Sequence, residues 1–371
     1  MINPQMFQSL NNIIEEIFAR LNSNIETHHT EPQVSLVDHM RAKRKAKALH
    51  ASTKKLIYLD TNAWKCMADY RQKKPSLTSA MLSFGNLLQQ AVNSTNFVFP
   101  IGLPTFFELD SMTRPETRAV LTTLVDELSQ GFCIAPFQER VGGELKKLRT
   151  DTLDIPDTLE DFLCSPIELL GIPTLSFNEH TKIDFDEEAF NKAFFDSLTE
   201  LPFSFQLELA STLEGNKWDN SRGITELNAG KREHQAAVSK LIQGIFLELC
   251  GCIAHWYEAE KIELSRKDLL RYCARALGHW HSTPTSRALP TLRILSSLYG
   301  LMRLDSHRKY HAGDPNDFMV AASALPVAQA LFTDKKLANL LADSNLRLDT
   351  FSDCQIISGF DEMAEYLGTN L

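Results

Sequence analysis

Apolar and polar positions follow two different rhythms along this chain, and the change of rhythm divides it. Met6, Leu10, Ile13, Ile14, Ile17 and Phe18 recur at three- and four-residue spacings, which predicts an amphipathic helix from Met1 to about Leu21. Thr27 to Pro32 is polar and reads as a loop. The continuous apolar run Leu56-Ile57-Tyr58-Leu59 then stops at Asp60-Thr61-Asn62, the pattern of a buried strand running straight into a helix. Helices are expected near 61–71 and 77–92, and a second strand at Phe97-Val98-Phe99-Pro100-Ile101. Gly102 to Leu109 predicts a helix with Pro104 in its first turn, where a missing N–H is harmless, and Glu108 about one turn in. Glu116 to Ser129 reads as another helix and Phe132 to Phe137 as a short third strand.

From Gln138 to about Gly300 the rhythm is almost wholly helical. Pro156, Pro166 and Pro173 punctuate irregular, acidic sequence, and helical stretches follow at 187–199, 233–260 and 266–278. Strand and helix alternate again from Leu301: a helix at 315–325, a strand at 329–333 ending in Asp334, a helix at 335–342, and Leu346 to Phe351 as the candidate last strand. Such alternation predicts an α/β fold, with a mostly parallel sheet covered by helices on both faces and split by a large helical insertion. The expected division is an N-terminal helix and basic linker (1–54), a first α/β half (55–137), the insertion (138–300) and a second α/β half (301–371).

Composition changes this picture little. At 371 residues the chain is long enough for two domains or one elaborated domain. A net charge of −9 argues against blanket nucleic-acid binding, although Arg41 to Lys55 holds seven Lys or Arg residues in fifteen positions. That stretch is either a solvated helix face or tether, or an electrostatic arm for a phosphate backbone. Seven scattered cysteines make no disulfide framework, the first residues show no basic-then-apolar signal, and no apolar run could span a bilayer. A cytoplasmic protein without a membrane partner is expected. Cys250-Gly251-Cys252, with His255, Cys273 and His279, invites a zinc reading. Its place in an apolar helical run favours buried thiols instead.

Four carboxylates stand at comparable points of the α/β pattern. Asp60 and Asp334 end strands, while Glu108 and Asp317 lie in the first turns of helices. Parallel strands bring their C-terminal ends to one edge, where gathered carboxylates repel one another unless protonated or bound to cations. Oxygen donors without Cys or His suit Mg2+ or Mn2+, and such a site suits metal-assisted phosphodiester hydrolysis. Each acid also has a plainer explanation. Asp60 and Asp334 would cap helices, and Asp314-Pro315-Asn316-Asp317 reads as an N-cap, a first-turn proline and an acid favoured by the helix dipole. Just before it, in His307-Arg308-Lys309-Tyr310-His311, Arg308 and Lys309 would grip phosphates and Tyr310 would stack on a base, unless the stretch is only a solvated loop. Trp218 to Gly223 is a polar break, either a plain loop or a substrate contact. Phosphate-loop, dinucleotide-binding and nucleophile-elbow motifs are absent, and Asn62 stands where an aspartyl-phosphate phosphatase would carry its second Asp.

LIYLDTNAW, FVFPIGLPTFFELD and DPNDFMVAASALPVAQALFTDKKLANLL together resemble the PIN-domain nucleases. The likeness covers roughly 55–137 and 301–355, and the long segment between them departs from compact members. It implies a Rossmann-like parallel sheet and an endoribonuclease that cleaves single-stranded RNA with Mg2+ or Mn2+, leaving 5′-phosphate and 3′-hydroxyl ends. Asp60, Glu108, Asp317 and Asp334 would then be the catalytic metal ligands, with Thr61 and Asn62 contacting a ligand carboxylate or the phosphate. The insertion and the N-terminal part would select the RNA, or mediate assembly with a second copy or a regulatory protein. Two alternatives stay open: a PIN-like scaffold that binds RNA or protein without cleaving, and a DNA nuclease using the same metal site.

Overall fold

Leu56 to Leu59 sits near the middle of a four-stranded sheet in which every pairing is parallel. A computed structural model describes residues 4–112, 114–169, 171, 186–199, 201–207 and 223–371 of the chain. The strands are β1 (Lys55–Leu59), β2 (Phe97–Val98), β3 (Cys133–Ile134), β4 (Leu163–Cys164), β5 (Ala330–Thr333) and β6 (Gln355–Ser358). The sheet order is β2-β1-β5-β6, and a parallel bridge from Ile101 to Cys133 carries the pattern on to β3, which pairs antiparallel with β4.

Helices cover both faces because the strands are apolar on both. Ile57, Leu59, Phe97, Phe99, Ala330 and Phe332 face one core, shared with the helices Thr61–Arg71, Ser79–Asn93, Leu103–Ser111, Pro115–Ser129 and Phe360–Asn370. Leu56, Tyr58, Val98 and Leu331 face the other, under Pro290–Leu304, Asp314–Ala324 and Lys335–Leu341. Full burial on two sides is why these strands read as continuous apolar runs.

Several expectations need correction. Leu346 to Phe351 is no strand: Arg347 has a left-handed φ of 49°, and Leu348–Thr350 is a single 3-10 turn. The last strand is β6, a half-buried edge strand with too little apolar character to show a period, and a further helix follows it. β4 lies inside the expected helical insertion, and at two residues it is too short to leave a pattern. The helix Pro290–Leu304 crosses the expected boundary at 300 and belongs to the sheet-covering core.

A separate core does join Phe137–Thr150, Leu241–Ala259 and Arg266–Ser282, built on Val141, Leu145, Leu249, Ile253, Cys273 and Trp280. Gly244 and Gly300 let Leu241–Ala259 cross Pro290–Leu304 closely: a Cβ on Gly244 would lie 2.6 Å from the Gly300 carbonyl oxygen. Cys250 and Cys273 meet here with sulfurs 3.3 Å apart, packed as thiols within the helical core.

The N-terminal helix runs from Pro4 to His29, absorbing the start of the expected loop. Among the described side chains its inward face passes through Ile17, Leu21, Asn24 and His28, whereas Phe18, expected on the apolar face, is 61% exposed. The basic stretch is largely the helix Leu36–Ala51 rather than a tether. Arg44 pairs with Glu139 and Glu168, Lys43 with Asp196, and Lys47 donates to the Gly131 carbonyl, so these three charges serve internal contacts. Among the described residues no helix is long and apolar enough to cross a membrane.

Candidate functional site

The register of β1 and β5 sets the site. Leu59 pairs with Phe332, and Asp60 N–H donates to the Phe332 carbonyl at 2.9 Å, so Asp60 lies beside Thr333 with Asp334 one residue beyond. The Thr333 hydroxyl donates to Asp60 Oδ2 at 2.8 Å across the strand ends, and Thr61 N–H donates to Oδ1 at 2.6 Å. The two strand-end acids differ in kind. Asp334 accepts from Leu337 N–H, three residues on, which is ordinary N-capping. Asp60 is the N-cap of its helix too, accepting from Thr61 N–H, but it is buried and spends its other oxygen on Thr333, a contact that capping does not require.

Glu108 is explained even less by local structure. It sits within Leu103–Ser111, past the first turn, and Asn316 Nδ2 donates to its Oε1 at 2.5 Å. Among the described residues, Glu108 Oε2 and Asn316 Oδ1 are both buried without a hydrogen-bond partner. Buried polar atoms normally find partners, so orphaned oxygens on two side chains already joined by a hydrogen bond are informative. Asn316 is 4% exposed and was not anticipated as a site residue; the sequence signal was its place between two acids in Asp314-Pro315-Asn316-Asp317.

Asp317 lies in the first turn of Asp314–Ala324, whose N-cap is Gly313 rather than Asp314. Asp314 is 1% exposed, accepts from His311 N–H at 2.8 Å and binds Lys336 Nζ at 2.6 Å; Lys336 also reaches Asp317 at 3.3 Å. Lys336 is a second residue the sequence reading missed, although it stands two positions after Asp334.

The acids perturb one another. Burial, then the charge of Asp60, pushes Glu108 up to about 7, against the pull of Lys65 and the Asn316 hydrogen bond. Burial likewise lifts Asp317 to about 7; Lys336 opposes this, while Asp60 and Asp334 add to it. Asp60 is raised by burial and by Asp334, against hydrogen bonds from Thr333 and Thr61. The four carboxylates therefore share one electrostatic environment. They do not form a closed cage: among the described residues the set of three ligating side chains with donor atoms within 4.8 Å of one another is His28, His39 and Asp196.

These shifts fix a pH dependence. The folded chain holds protons on Glu108 and Asp317 more tightly than the unfolded chain does. Their contribution is therefore fully present below about pH 4 and is lost as pH rises to about 7. In EDTA, the stability difference between pH 5 and pH 7.5 is expected to shrink in Glu108→Gln by on the order of 1–3 kcal/mol. Thermal melts of both proteins measure it. An unchanged pH slope means that Glu108 is not the strained group.

The remaining expected contacts are mixed. Thr61 is half-buried beside Asp60, and exposed Asn62 lines a 180 Å3 depression with Thr333 and Asp334. Arg308 and Lys309 lie on the loop leading to Asp314, half-exposed and exposed respectively. The loop is anchored by Lys231, which donates to the carbonyls of Asp305 and Arg308. Tyr310 is not available to stack on a base. It is 4% exposed, packed against Tyr299, and its backbone N–H and carbonyl are both bound by the Asn228 amide. Of the polar break at Trp218 to Gly223, all but Gly223 lies outside the described residues. No family model, curated protein or solved structure matches the chain.

Proposed function

We propose that the chain is a PIN-like, divalent-metal-dependent endoribonuclease acting on single-stranded RNA. The observation that carries this reading is the pair of orphaned buried oxygens, Glu108 Oε2 and Asn316 Oδ1, among Asp60, Asp317 and Asp334. An all-oxygen donor set with unsatisfied members suits a hard cation, Mg2+ or Mn2+, better than zinc. Asp60, Glu108, Asn316 and Asp317 would hold the ion, with Asp334 at the margin, still engaged as a helix cap. A bound divalent ion supplies Lewis-acid charge at a phosphodiester and makes nearby water a better nucleophile.

The protein's own residues orient this set. Thr333 fixes Asp60, Asn316 aims Glu108, and Lys336 steadies Asp317. Lys336 also reaches Asp317 with half of its side chain exposed, and is suited to a phosphate oxygen. Thr61, Asn62, Arg308 and Lys309 are assigned to the flanking substrate path. The cytoplasm is the compartment we assign, in keeping with seven free thiols. A second copy or a regulatory protein is the partner we assign to the helical region.

The test is incubation of the purified chain with end-labelled single-stranded RNA and matched DNA in Mn2+, Mg2+ or EDTA. Metal-dependent RNA cleavage is expected, and Asn316→Ala should raise the Mn2+ concentration for half-maximal rate about 10- to 100-fold, as for a lost ligand-orienting group. Preferred cleavage of DNA would reassign the substrate. Metal binding without cleavage of either strand would favour a binding scaffold. Absence of both would end the metal-site reading.

A further inference from the structure

A second group of ligating side chains, none of them among the four acids, forms where three helices meet. His28 closes the helix Pro4–His29, His39 lies in the first turn of Leu36–Ala51, and Asp196 sits in Glu187–Thr199. His28 Nε2 is 3.0 Å from Asp196 Oδ2, and His39 Nε2 is 2.8 Å from Asp196 Oδ1. The imidazoles meet edge to face, 4.8 Å between centroids, and all three donor atoms lie within 4.8 Å of one another. Side-chain exposures of 8%, 13% and 15% keep the three largely out of water.

We propose that His28, His39 and Asp196 bind a zinc ion that clasps the N-terminal helix pair to the helix Glu187–Thr199. Two imidazole nitrogens and a carboxylate form a nitrogen–oxygen set that zinc accepts with water as the remaining ligand. Bonds of about 2.0–2.2 Å in a tetrahedral site put ligand atoms about 3.3 Å apart. The contacts of 3.0 and 2.8 Å here, one to each Asp196 oxygen, are shorter, so the rings would draw back slightly to admit the ion. The rings must also present Nε2 lone pairs in place of N–H groups. Lys43 also touches Asp196, at 3.1 Å, but its side chain is half exposed and can swing into solvent when a cation takes the carboxylate.

The setting suits a clasp. Along Glu187–Thr199, Glu188, Lys192 and Asp196 recur every four residues and each grips the N-terminal pair. Glu188 accepts from Leu36 N–H, and Lys192 donates to the carbonyls of Glu31 and Val34 in the connecting turn. Beneath them lies an apolar cluster that holds, among the described residues, Phe195, Leu198, Ile17, Leu36 and Met40. A metal bond would add to this packing.

The test is competition between the full chain, stripped of metal, and a chromophoric zinc chelator. One zinc per chain is expected at sub-micromolar affinity. His39→Gln and Asp196→Asn should each weaken it more than about 100-fold, beyond what a residue that only orients a ligand costs. Cys250→Ser and Glu108→Gln should leave zinc affinity unchanged, and zinc should raise the melting temperature of the wild type but not of His39→Gln. Should the histidine variant fail to fold, Co2+ bound to the wild type decides. Tetrahedral d–d bands without thiolate charge transfer support the site, and a thiolate band overturns it. Wild-type affinity in both clasp variants, or loss of binding in Cys250→Ser or Glu108→Gln, also overturns it.

Discussion

Asp60→Asn is expected to reduce the proposed metal-dependent RNA cleavage by about 10^3-fold or more while the chain stays folded. The rate loss follows from the several kcal/mol that a bound metal supplies, at about 1.4 kcal/mol per factor of ten. The tolerance follows from the geometry. An asparagine oxygen can still accept from Thr61 N–H, and the Thr333 hydroxyl can turn to accept from the new amide instead of donating. Removing the Asp60 charge also relieves Glu108 and Asp317, both of which it pushes up. Unfolding free energy is therefore expected within about 1 kcal/mol of wild type, with a shallower fall in stability between about pH 5 and 7 in EDTA. Cleavage assays beside urea titrations at two pH values read both. Wild-type cleavage by this variant would remove Asp60 from the mechanism, and global unfolding would make it a structural residue.

Arg140→Ala should produce the largest loss of stability, about 3–5 kcal/mol, read as a lower urea midpoint. The Arg140 guanidinium is buried where three elements meet. It donates to the Ala135 carbonyl after β3 at 3.0 Å, to Thr291 Oγ1 at 3.1 Å, to the Ala322 carbonyl at 2.6 Å and to Ser323 Oγ at 3.4 Å. Burial pulls it down to about 10, partly offset by Glu144, so it remains charged at neutral pH. Glu144, one turn on, accepts from the N–H groups of Thr291 and Leu292 at the start of Pro290–Leu304. Truncation leaves those acceptors without partners and opens a cavity. Ala322 and Ser323 belong to the helix that carries Asn316 and Asp317, so the variant should also need more Mn2+ than wild type. A stability loss under about 1 kcal/mol would show that the network relaxes around the missing side chain.

How much of this was legible varies with the physics of each segment. β1 and β5 were readable because burial on both faces makes strands continuously apolar, and each ends in an acid at a helix start. Pro104 announced a helix start through its fixed backbone and missing donor. β6 was missed because an edge strand buries too little to show a period, and Leu346 to Phe351 mimicked one until Arg347 turned left-handed. Tyr310 was misjudged because a basic neighbourhood in sequence says nothing about which side chain a distant amide, Asn228, will draw inward.

The sequence by itself determined the alternating α/β frame, the helical character of its middle part and the four acids as candidates, since these rest on local periodicity and residue type. Tertiary structure alone decided which of them meet. The β1–β5 register put Thr333 on Asp60 across 273 positions, and helix packing put Asn316 on Glu108 across 208, leaving two oxygens without partners. It also brought His28, His39 and Asp196 together from three separate helices. Local propensity is set within a few residues of the chain, whereas pairing between side chains hundreds of positions apart depends on how sheets register and helices pack. That dependence is why the acids could be named from sequence while their partners could not.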